Sequence, residues 1–499
     1  MIGKYDSENG KLSFLDLQLK LNTLEDGKNL AIEIEKCPNL VTLELRGNSL
    51  GPNAADPIAD ALKKHKELKR ILWSDLFTGR LKTEIPEILE KLLDGITYSG
   101  AMLQEIDLSD NALGPVGVEG IKKFLASEAA INLETVKLYN NGLGIGGKTV
   151  ANCFVECLRK AIQKGKWLNL KTFIAGRNRL ENTCAIAFSH AFKMIGTLED
   201  IQIIQNGIWA DGIRALADCF RFNPNLRIID LSDNTCTHRG AVALANVIPK
   251  LKELEKIVLG DCLCRDRGSL KIFRAIAKGQ LKNLKEIDIS GNEVTPKGAI
   301  EIDKICKESL KNVNVKLHCN NFSSEFHRLA NILKNVNIGD EEDDQGSDVE
   351  NDELWTPCVN GTEDLPIHII LDFIKAPNSH SLGRVLRRQS DVIDELEDDM
   401  RINVNPYTTA RFIAALTTAV IPNSKNEKLV SEMLIEILKR GRQIMRSNLP
   451  VLMQLSNNLI AFSRLVKSEL QEKVPINFDI LKNLTGDHVP EFTKYISVW

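Results

Sequence analysis

Residues 133–149 read LETVKLYNNGLGIGGKT, and two readings compete for them. The last eight letters, Gly142 to Thr149, match the phosphate-loop pattern G-x-x-x-x-G-K-[ST] and precede a helix-like stretch, VANCFVECLRKAI. On that reading backbone amides cradle nucleotide phosphates, Lys148 reaches the outer phosphates and Thr149 holds magnesium. The first nine letters, LETVKLYNN, instead follow L-x-x-L-x-L-x-x-N and close at Asn141. Which frame governs the segment decides between a nucleotide-binding fold and a repeat.

The chain's self-similarity decides it. The same pattern recurs as LVTLELRGN, LQEIDLSDN, LKTFIAGRN, LEDIQIIQN, LRIIDLSDN, LEKIVLGDC and LKEIDISGN. Its closing position falls at Asn48, Asn111, Asn141, Asn178, Asn206, Asn234, Cys262 and Asn292, with degenerate copies at Leu76 and Asn320. Spacings of 28 to 37 residues mark a long-class leucine-rich repeat. The expected fold is α/β, a ribonuclease-inhibitor-like horseshoe. Each copy lays a short strand on a parallel sheet, its closing Asn bonds backbone groups left unpaired by a sharp turn, and an amphipathic helix such as AVALANVIPKL returns the chain. Six residues past the closing position come Gly117, Gly147, Gly212, Gly240, Gly268 and Gly298. The glycine before Lys148 is therefore shared by repeats with no phosphate-loop motif, and the repeat reading prevails.

Composition sets outer bounds. A chain of 499 residues is too long for one ordinary core, and it contains no apolar run of the length a membrane helix needs. An uninterrupted signal-peptide core is missing from MIGKYDSENGKLSF, which leads us to expect a soluble intracellular protein without membrane insertion. The 11 cysteines are scattered without paired zinc spacing, so reduced, mostly buried thiols are expected. Net charge is −3, but residues 340–354, DEEDDQGSDVENDEL, carry nine acids and no base. The remainder is only mildly basic, too weakly to argue for nucleic acid.

The repeat is broken in two informative places. Between Leu76 and Asn111 the spacing is longer than standard, and the extra material follows FTGRLKTEIPE, where Pro86 ends a loop or opens a helix. Arg80 and Lys82 are the charges such a loop would present to a partner; they read equally as solvated loop cations. In LYNNGLG, Asn141 closes the repeat, which leaves Asn140 free of that requirement, at a position held elsewhere by Gly47, Asp110, Arg177, Gln205, Asp233, Asp261 or Gly291. The pattern alone does not single out Asn140 from this polar rim.

At these residues the chain resembles the Ran GTPase-activating proteins. WSDLFTGRLKTEIPE, LSDNALGP, LYNNGLG, AGRNRLEN, LEDIQIIQNGI, LSDNTCTHRG and LGDCLC occur in order across roughly residues 40–340. The resemblance implies that Arg80, from FTGR, matters for activity without acting as an arginine finger. It places Lys82 at the Ran interface, makes Asn140 the residue that steadies Ran's own catalytic glutamine, and leaves Arg177 and Arg179 as further Ran-binding charges. The chain then needs no cofactor, because GTP and magnesium belong to Ran. A passive leucine-rich-repeat scaffold is the alternative, with the same horseshoe and no privileged Arg80 or Asn140.

The tail reads as a separate module. We expect domains at 1–339 and 356–499, joined by an acidic linker at 340–355 whose like charges keep it extended. SLGRVLRRQSDVIDELEDDM, TTARFIAALTTAVI, EKLVSEMLIEILKRGRQIM and VLMQLSNNLIAFSRLV read as amphipathic helices of an all-α domain. This region resembles the C-terminal domain of animal members of the family. The resemblance implies a SUMO acceptor at Lys467, in the aliphatic-Lys-x-acid context Val466–Glu469. It also implies SUMO and its conjugating enzyme, a Ran-binding protein and a nuclear pore component as partners, with residence in the cytoplasm and at the cytoplasmic face of the pore. Lys82, in LKTE, fits the same short motif.

Overall fold

A computed structural model describes residues 3–344 and, beyond them, helical positions between 370 and 437. The chain divides into two compact units, Met1–Asn351 and Asp352–Trp499.

The first unit is an α/β solenoid built on a 12-stranded sheet. An antiparallel hairpin, Lys4–Asp6 with Lys11–Ser13, opens it, and every later strand of that sheet pairs in parallel with its neighbours. Strands are three residues long and mostly show a buried centre with half-buried flanks, as in Thr135–Lys137, Thr172–Ile174 and Asp200–Gln202. The register stacks the apolar centres into one column, in which Val136 faces Phe173, Phe173 faces Ile201 and Ile201 faces Ile229. All four are fully buried, each stabilising the stack by about 1.5–3 kcal/mol relative to exposure. Where the repeat is longest, between Asn141 and Asn178, the helix Gly146–Gln163 is also long, and Phe154, Phe173, Phe188 and Phe192 fill the added volume with ring centroids 4.8 to 5.9 Å apart.

The closing amides are buried, from Asn234 at 4% exposure to Asn178, Asn292 and Asn320 at 0%. They do more than finish their own turn. Asn141 accepts through Oδ1 from the backbone N–H groups of Asn111 (3.1 Å) and Leu113 (3.3 Å) one repeat earlier, and donates through Nδ2 to the Leu108 carbonyl at 2.8 Å. Asn178 does the same for Asn141 and Leu143, and Asn206 for Asn178 and Leu180. The amides form a ladder between repeats, satisfying groups that the turn buries. Cys262 interrupts it, and its thiol contacts the Leu231 carbonyl instead.

Burial accounts for the thiols. It pushes Cys153 up to about 11 and Cys157 up to about 12, so both stay protonated and inert at neutral pH.

The expected start of the acidic linker moves. Asn337 pairs with the last strand, accepting from Leu317 and donating to Val315, and so covers the open edge. Asp344 then accepts from the backbone N–H groups of Phe322 and Ser323, and Glu341 lies 3.2 Å from His327. Asp344 is thus tied to the last repeat, because its carboxylate caps a turn that has no following repeat to satisfy it.

In the second unit the described positions between 370 and 437 are all helical. Ile370, Phe373, Val385, Leu396, Phe412, Leu416, Met433 and Ile437 are buried, and the Phe373 and Phe412 rings lie 5.4 Å apart. The fold is a leucine-rich-repeat solenoid followed by a helical C-terminal region.

Candidate functional site at the ascending rim

The residue before each closing position sits where the strand turns outward. Gly47, Asp75, Asp110, Asn140, Arg177, Gln205, Asp233, Asp261, Gly291 and Cys319 all have φ between +48° and +73°. Their amides run to the next repeat, Asp110 to the Tyr139 carbonyl, Asn140 to Gly176 and Arg177 to Ile204, each at 2.8 Å. With that left-handed backbone Asp110, Asn140, Arg177, Gln205, Asp233 and Asp261 are exposed along the sheet edge. The backbone also corrects the expectation that Asn140 is free of the repeat's requirements. Its position demands a conformation that Gly, Asn and Asp adopt at least cost, and Arg177 and Gln205 hold it less comfortably.

Asn140 is exposed and its Nδ2 donates to Asp110 Oδ1 at 2.8 Å, which fixes the carboxamide on the rim. One repeat on, Arg177 stands 6.0 Å over the Tyr139 ring and donates through Nε to Gln205 Oε1 at 2.7 Å. Asn140 and Arg177 are therefore neighbours along one row. Arg179 is exposed two residues farther along, at φ +52°, on the wall of an open groove.

Arg80 behaves differently from expectation. The segment after Leu76 folds back, with Phe77 bridging to Ser49. The Arg80 guanidinium is half-buried and donates to Asn22 Oδ1 at 2.6 Å and to the Ser49 carbonyl at 2.9 Å, while Nε is buried without a partner. It ties its loop to the two preceding repeats instead of projecting outward. Lys82 is exposed next to Leu81, itself 68% exposed, and Pro86 opens the helix Ile85–Ser99. Among the described residues no hydrogen bond links Arg80 to Asn140. Lys467 lies outside the described residues.

The sheet face beside the rim is strongly charged. Arg70 and Lys137 flank Glu105; burial alone would raise its carboxyl, but the two cations hold it below the ordinary range. Burial pushes the Asp200 and Asp230 carboxyls up, only partly offset by Gln202 and Ser232.

The phosphate-loop pattern does not form a phosphate site. The amides that would cradle phosphate are spent on the repeat: Gly144 donates to Asn178, Gly146 to Leu143, Gly147 to Gly144 and Lys148 to Ile145. A Cβ at Gly147 would meet Leu180 Cδ2 at 2.4 Å, so this glycine serves close packing of the next repeat. Lys148 is left exposed on the helix surface.

Asp110 was legible in the sequence as a rim residue, from LSDN. Asn22 was not: its contact with Arg80 spans 58 residues and no periodicity announces it.

A leucine-rich-repeat family model matches residues 36–59, 101–122, 222–245 and 280–302. The chain is 41% identical over 466 residues, 91% of its length, to Ran GTPase-activating protein 2 of Caenorhabditis elegans, of which the match spans 48%. It is 49% identical over 208 residues to Ran GTPase-activating protein 1 of Xenopus laevis, covering 42% of the chain and 36% of that protein. Against Ran GTPase-activating protein 1 of Saccharomyces cerevisiae the identity is 29% over 284 residues, 55% of the chain and 69% of that protein. The chain spans about half the length, or less, of the animal relatives it matches. It is a leucine-rich-repeat protein and, over nine tenths of its length, a relative of the Ran GTPase-activating proteins.

Proposed function

We propose that the chain accelerates GTP hydrolysis by Ran without carrying nucleotide itself. The observation that supports this best is Asn140, an exposed carboxamide held by Asp110 on a rim whose backbone leaves it no freedom to retreat. GTP hydrolysis needs an attacking water in line with the γ-phosphate and an ordered glutamine to hold it. A fixed carboxamide beside a mobile glutamine lowers the entropic part of that barrier. On this reading Asn140 orients Ran's glutamine, Lys82, Arg177 and Arg179 contribute charge to the interface, and Arg80 positions the loop that carries Lys82. GTP and magnesium come with Ran, and this chain is an activator, not itself the hydrolase.

Single-turnover hydrolysis of Ran·GTP tests it. Substoichiometric chain should speed many equivalents of Ran; a chain that binds Ran and leaves its rate unchanged is a passive scaffold. We further propose that the tail is conjugated to SUMO at Lys467, linking the chain to a Ran-binding protein and a nuclear pore component and placing it at the cytoplasmic face of the pore as well as in the cytoplasm. Lys467→Arg keeps the charge but offers no amine for the amide link. It should abolish conjugation and leave activation intact, and persistent conjugation would move the acceptor, with Lys82 the first to check.

A further inference from the structure

Trp209 stands at a helix N-cap, where an indole supplies no capping acceptor. It occupies the position three past the closing amide, held elsewhere by glycine (Gly51, Gly114, Gly144) or by polar residues such as Glu181, Thr237 and Thr295. It is the N-cap of the helix Ala210–Phe220, a place that favours Ser, Thr, Asp or Asn, and its side chain makes no capping bond. Asn182 of the previous repeat caps this helix instead, accepting from the N–H groups of Trp209 at 2.8 Å and Gly212 at 3.2 Å. The indole thus has no part in capping the helix, and it remains 41% exposed.

It lines an open groove of about 690 Å³ on the rim, next to Arg179. Glu181, Asp233 and Asp261 face the same space and outnumber that one guanidinium. Asp261 is crowded: burial, then Asp233 and Asp288, push its carboxyl up. An aromatic face next to carboxylates in excess is the arrangement that recognises an organic cation, and tryptophan is the best of the aromatic partners for it.

We propose that this groove receives a lysine or arginine side chain from the surface of the GTPase, so that Trp209 and Asp261 set the affinity for the partner while the rim around Asn140 sets the rate. This rests on the activator reading above. In single-turnover hydrolysis of Ran·GTP at varied concentrations of the full chain, Trp209→Ala and Asp261→Asn should each raise the half-saturating concentration by roughly tenfold, as loss of a desolvated interface anchor does. The maximal rate should stay within about twofold, since only uniform binding is lost. Trp209→Phe should retain much of the affinity, and the salt dependence of half-saturation should flatten in Asp261→Asn. Variants with wild-type circular dichroism and melting whose half-saturation is unchanged would overturn the groove assignment while leaving the activator reading intact. A wild-type chain that accelerates nothing at any concentration removes both.

Discussion

The Arg80 guanidinium donates to Asn22 Oδ1 at 2.6 Å, joining a loop of the third repeat to the turn of the first. Arg80 acts through that tie and through the Ser49 carbonyl, which makes it a positioning residue in this structure. Arg80→Ala should lower activation of Ran strongly while the melting temperature moves only slightly. Asn22→Ala should reproduce part of the loss, and the double variant should resemble Arg80→Ala alone, because contacting residues are not additive. Arg80→Lys should fail to rescue, since an ammonium lacks the planar fork that spans both acceptors. Full additivity in the double variant would show that the two residues act separately.

Asn140 and Asn141 are adjacent in sequence and opposite in duty. Asn141→Ala strips partners from the backbone of Asn111, Leu113 and Leu108, and should cost about 3 kcal/mol of stability. Asn140→Gly keeps the left-handed backbone at no steric cost and removes only the exposed carboxamide. It should melt near wild type yet slow activation by roughly tenfold to a hundredfold. Chemical denaturation paired with the hydrolysis assay separates the two, and equal activity in Asn140→Gly would remove Asn140 from the mechanism.

Lys148→Ala should leave both stability and activation close to wild type. The amides of Gly144, Gly146, Gly147 and Lys148 already donate to backbone carbonyls, so no phosphate cradle exists for the lysine to complete. Titration of the isolated chain with GTP should show no binding. A measurable affinity that Lys148→Ala abolishes would restore the phosphate-loop reading.

Asp200 carries a stability penalty that depends on pH. Burial, and then Asp230, raise its carboxyl above the ordinary value, against the opposing bond from Gln202. A raised folded-state value means that its favourable contribution is complete below the unfolded value and is lost as pH rises through the folded one. Asp200→Asn should therefore raise the melting temperature by a few degrees at pH 7, and the gain should disappear below about pH 4, where the wild-type carboxyl is already neutral. A gain that persists unchanged into acid would trace to packing instead of charge.

The repeat frame was legible because a solenoid is locally determined. L-x-x-L-x-L-x-x-N states which side chains enter the column, where the turn falls and why Gly147 recurs, since each repeat buries its apolar positions against near-copies of itself. The sequence also placed Asn140 and Arg177 on one rim, because each precedes its closing amide by one residue. The destination of Arg80 was decided only by tertiary structure. A loop inserted beside a turn can project or fold back, and the choice depends on the acceptors of Asn22 and Ser49, which are brought within reach by stacking and not by spacing along the chain. The same holds for the backbone at Asn140. Its positive φ follows from hydrogen bonds to the next repeat, so the constraint on that residue exists only once two repeats are in register.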